Sequence, residues 1–85
     1  MAGKISIMGQ IGEIDREINL REKVYPHQIS AGKMKQEVAD MLMARIQAVR
    51  ATLLFCQDNE ADIREFVTHK DAFRAWMAEQ KAMLG

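Results

Sequence analysis

The residues best suited to hold a ligand fall within one stretch, Arg16 to Met34, REINLREKVYPHQISAGKM. It gathers Arg16, Arg21, Lys23, His27 and Lys33 around the one tyrosine, Tyr25, and the one proline, Pro26. Cations beside an aromatic ring can hold a phosphate, a stacked base or an acidic partner. Free backbone N–H groups where a second helix begins would add to such an anion site. The same residues also have a plainer use. Tyr25 packs across a helical hairpin with its hydroxyl at the surface, and the charges sit in water.

Three weaker patterns carry less chemistry. Asp58, Glu60, Asp62 and Glu65 resemble a carboxylate set for Mg²⁺ or Ca²⁺, but the glycine and loop length of an EF-hand are missing. Acids in a first helical turn account for them more simply. Gly9 and Gly12 form a Gly-x-x-Gly, which in nucleic-acid-binding KH domains works within a fold that contains a sheet. Cys56 sits in the apolar run LLFCQ with no base beside it, the setting of an inert packing cysteine. No arrangement for nucleophilic, acid–base or metal catalysis stands out, so no enzyme, cofactor or metal is expected.

Composition narrows the class. A chain of 85 residues is one domain, here residues 1–85, with a small core. The lone cysteine rules out an internal disulfide and suits a reducing compartment. The 12 basic and 12 acidic residues cancel, which removes any long-range pull towards nucleic acid or an anionic membrane. No stretch approaches the ~20 apolar residues of a membrane-spanning helix, and no secretory leader is evident. The expectation is a cytoplasmic protein that does not meet the membrane.

Elements that position these residues are helical throughout, because strand alternation never persists. Residues 1–7 are expected as a loose lead. A first helix is expected from about Met8 to Val24. Its stripe is Ile7, Ile11, Ile14 and Ile18, continued by Arg21 and Tyr25. Pro26 should end it at Tyr25 and start a short separate turn, closed by Gly32 in a left-handed conformation. A second helix is expected from Met34 or Lys35 to Cys56. One stripe on it is Val38, Leu42, Ile46, Val49 and Leu53, with Met41, Ala48, Thr52 and Phe55 forming another beside it. Met43 and Leu54 lie elsewhere on its girth, giving more apolar surface than one partner helix covers. A third section, capped by Asp58 or Asn59, is one helix or two, split at the capping-box pattern Thr68-His-Lys-Asp71. It carries Ile63, Phe66, Val67, Phe73, Trp76 and Met77.

Arg16, Glu17, Ile18, Arg21, Val24, Tyr25, Pro26, Ile29, Gly32, Lys33, Met34, Ala39 and Met43 make a pattern that resembles a family of small bacteriophage and prophage proteins. Its form is R-E-I-x-x-R-x-x-V-Y-P-x-x-I-x-x-G-K-M, and the likeness covers about residues 14–50. Family members commonly have Thr or Ser at the position of Lys35, so the second helix here lacks that cap. The resemblance implies a phage accessory protein acting inside a bacterial host cell.

The expected fold is all-α: a helical hairpin with one or two C-terminal helices packed on it, assembled as a homo-oligomer. Met41, Met43, Leu54, Phe55, Phe73, Trp76 and Met77 are the expected oligomer contacts, because Met and aromatic surplus suits an interface. The expected function is binding a host or phage protein, to inhibit host defence or modulate host replication or recombination. The alternative is an oligomeric binder of a phosphorylated small molecule, nucleotide or nucleic acid, using Arg16, Arg21, Lys23, Tyr25, His27 and Lys33.

Overall fold

The computed structural model describes residues 3–85, which form three helices and no strand: α1 (Ile7–Ser30), α2 (Gln36–Asp58) and α3 (Glu60–Leu84). The expected loose lead lies partly outside the described residues. Within them, residues 3–6 are non-helical and Ile7 already belongs to α1. Ser6 starts that helix, its hydroxyl accepting from the Gly9 N–H at 3.0 Å, which satisfies one of the first-turn donors.

Helix α1 does not stop at Tyr25. It runs through Pro26 to Ser30, which corrects the expected break. A proline inside a helix removes one i→i−4 bond and crowds the carbonyl four residues back, at a cost of about 3 kcal/mol. Here that carbonyl belongs to Glu22, and Glu22 and Pro26 are both exposed, so water can reach the vacated acceptor. Beyond the proline, Gln28 and Ile29 are half-buried, and Ile29 shares a groove with Ala39 and Met43 of α2. The helix then closes on Gly32, whose φ of +73° is the left-handed conformation that favours glycine. Gly32 N–H donates to the Ile29 carbonyl at 3.0 Å and Lys33 N–H to the Gln28 carbonyl at 2.9 Å, the paired bonds of a Schellman closure.

Lys35 occupies the N-cap of α2 and makes no side-chain cap bond. Its backbone carbonyl accepts from Val38 and Ala39 N–H, each at 3.1 Å. The hairpin core is small: among the described residues, the buried hydrophobic ones are Ile11, Ile18 and Ala39. Half-buried Ile7, Ile14, Arg21 and Tyr25 continue the α1 stripe, and Met43, Ile46, Arg50 and Leu53 continue the α2 side. Two polar links cross the hairpin. Arg50 Nε donates to Asp15 Oδ1 at 2.6 Å, and an Arg21 terminal nitrogen donates to the Leu42 carbonyl at 3.0 Å.

One residue, Asn59, joins α2 to α3. Its backbone N–H and its side-chain amide both donate to the Phe55 carbonyl, at 3.1 Å and 2.8 Å. Asn59 therefore closes α2 with its side chain, whereas α3 has no side-chain cap bond. The third section is one continuous helix. Thr68 does not cap a new one; its hydroxyl donates to the Arg64 carbonyl at 2.9 Å, a back-bond that a helix interior accommodates. Helix α3 meets the hairpin at its own N-terminal end, where Ile63 and Val67 share a groove with Ile7 and Cys56, and it has no buried residue. The chain measures 65 × 40 × 20 Å, with a radius of gyration of 20.5 Å. A compact chain of this length has about 12 Å.

Candidate functional site

The cations expected to act together are placed apart. Arg16 is exposed and pairs with Glu13 one turn earlier, and its hydrogen bond and charge hold the Glu13 carboxyl below its ordinary range. Arg21 is engaged three ways. It bonds the Leu42 carbonyl, lies 3.7 Å from Glu17, and sits over the Tyr25 ring at 6.0 Å from the centroid. Lys23, His27 and Lys33 share a separate shallow groove near the end of α1, where the negative end of the helix dipole favours positive charge without any ligand.

A groove of about 510 Å³ does lie beside Tyr25, between α1 and α2. Its charged lining is Arg21, Glu22 and Asp40. Two carboxylates and one guanidinium already engaged with the hairpin make poor chemistry for an anion. The geometry of this turn serves the joint between helices more directly than it serves a phosphate. Among the described residues, no group of three or more His, Cys, Asp or Glu is placed to hold a metal ion.

The residues expected at an interface divide into two sets. Met43 and Leu54 are half-buried and line grooves shared with α1 residues. Small Ala39 is buried at the hairpin and lines the same groove as Met43, whereas Leu54 lies beside Ile18 and Asn19. Met41 and Phe55 are exposed on α2. Phe73, Trp76 and Met77 are exposed on α3, at 46%, 52% and 49%.

Both exposed faces follow a repeat of three and four residues, the spacing of helices that pair with helices. On α2 the series is Val38, Met41, Arg45, Ala48, Thr52 and Phe55, all exposed. On α3 it is Ile63, Phe66, Lys70, Phe73, Met77 and, with half-buried Gln80 between, Leu84. A stripe of period 3.6 is visible in the sequence; the tighter 3.5-residue repeat is the signal that distinguishes a pairing seam from a globular core face. On α3 the aromatic rings pack on one another. Phe66 and Phe73 are edge to face at 5.4 Å, and Phe73 and Trp76 lie 6.2 Å apart.

No protein-family model, curated protein or solved structure matches the chain. Among the described residues, no helix is long and apolar enough to cross a membrane.

Proposed function

We propose that this protein acts by binding another protein rather than by catalysis, as a phage accessory protein inside a bacterial host cell. The phage setting comes from the likeness over about residues 14–50. The observation that carries the binding role is the exposed α2 face of Val38, Met41, Val49 and Phe55. That face is held on a hairpin braced by the Asp15–Arg50 and Arg21–Leu42 links, so it is presented rigidly, with little ordering cost on binding. Large apolar side chains left exposed on one helix in this way mark protein contact sites. A host or phage protein is the partner, and interference with host defence, replication or recombination is the outcome.

The test is capture from a lysate of phage-infected bacteria on the immobilised chain. A specific protein is recovered by the native chain and lost with the Met41→Glu/Val49→Glu variant, whose helicity by circular dichroism is unchanged. Recovery that is indifferent to the two substitutions, or recovery of this chain alone, overturns the proposal.

A further inference from the structure

We propose that α3 pairs antiparallel with α3 of a second copy of this chain. This goes beyond the partner proposed for α2 and does not depend on it. Surface area points to it first. The chain exposes 7115 Å², whereas a folded monomer of 9.7 kDa exposes about 5,100 Å². The excess is more than twice the ~800 Å² that each partner buries in a standard interface.

Among the described residues, eight of the fifteen exposed large hydrophobic residues lie on one element, α3. Helix α3 has no buried residue, yet Ile63, Phe66, Phe73 and Met77 form one seam along it, each partly exposed. An isolated helix is marginal in water, and most helical stability in proteins comes from packing such a face.

Charge sets the direction. Residues 60–71 hold Glu60, Asp62, Glu65 and Asp71 against Arg64 and Lys70, whereas residues 72–84 hold Arg74 and Lys81 against Glu79. An antiparallel pair places the acidic half of each helix on the basic half of the other and opposes the helix dipoles. The seam repeat then aligns position 63 with position 80 of the second copy, 66 with 77, and 70 with 73. Lys70, the one cation in the seam, lies near the centre, where a polar seam residue helps to fix register.

The experiment uses the purified full-length chain in a Cys56→Ser background, with Ile63→Cys and Gln80→Cys made separately and treated with a short bis-maleimide linker. Antiparallel pairing cross-links the two variants when mixed and leaves each alone uncross-linked, because identical positions lie about 25 Å apart along the axis. Self-cross-linking of each variant alone means parallel pairing and overturns the proposal. No cross-link in any combination, with a solution mass of 9.7 kDa, overturns it as well. Phe73→Glu halves the solution mass if the seam is correct, and an unchanged multimeric mass places the contact elsewhere and overturns the pairing. None of these outcomes depends on a lysate partner, so failure here leaves the α2 proposal standing.

Discussion

Arg21 joins three groups: the Leu42 carbonyl, the Glu17 carboxylate and the Tyr25 ring. Its side chain is 24% exposed, and a partly buried hydrogen bond from a charged donor contributes about 1.5–3 kcal/mol. Arg21→Ala therefore lowers hairpin stability by about 2 kcal/mol in urea denaturation. Arg21→Lys does not restore it, since a compact ammonium lacks the guanidinium's fork of donors that reaches the Leu42 carbonyl and Glu17 together. A variant as stable as the native chain would show that Arg21 does not brace the hairpin. By contrast, Arg16 and Glu13 are both largely exposed, and such a pair adds little to stability.

At the scale of the element, Pro26 is the informative case. Because α1 runs through it, Pro26→Ala restores an N–H to the helix and relieves the crowded carbonyl. The gain is about 2 kcal/mol after allowing for the looser unfolded chain. Were Pro26 the start of a separate turn, the substitution would be neutral or destabilising, and urea denaturation decides between them. The stripe on α1 was legible from its isoleucines, because spacings of four and three persist from Ile7 to Tyr25. The same spacing continues to Gln28 and Ile29, and there packing prevails over the local preference of proline. Gly32 was legible because its left-handed turn is a backbone requirement. The one-residue joint at Asn59 was not, since a cap before α3 and a closure of α2 use the same residue type. Nor was the half-burial of Met43 and Leu54 beside α1, which depends on which part of α2's apolar girth α1 covers. Of the ligand-type residues, the sequence showed their clustering along the chain but not their separation in space, because Arg21 faces α2 while Lys23 and His27 sit in another groove.

For the whole molecule, a core of Ile11, Ile18 and Ala39 contrasts with long apolar seams on α2 and α3. Small chains with so little core commonly lean on association for stability, and the proposed protein partner and the proposed second copy each cover one of these faces. Light scattering joined to small-angle X-ray scattering on the purified chain tests this most directly. The expected mass is a multiple of 9.7 kDa. A mass of 9.7 kDa with a radius of gyration near 12 Å would contradict it, because α3 would then have folded back to complete a core within one chain.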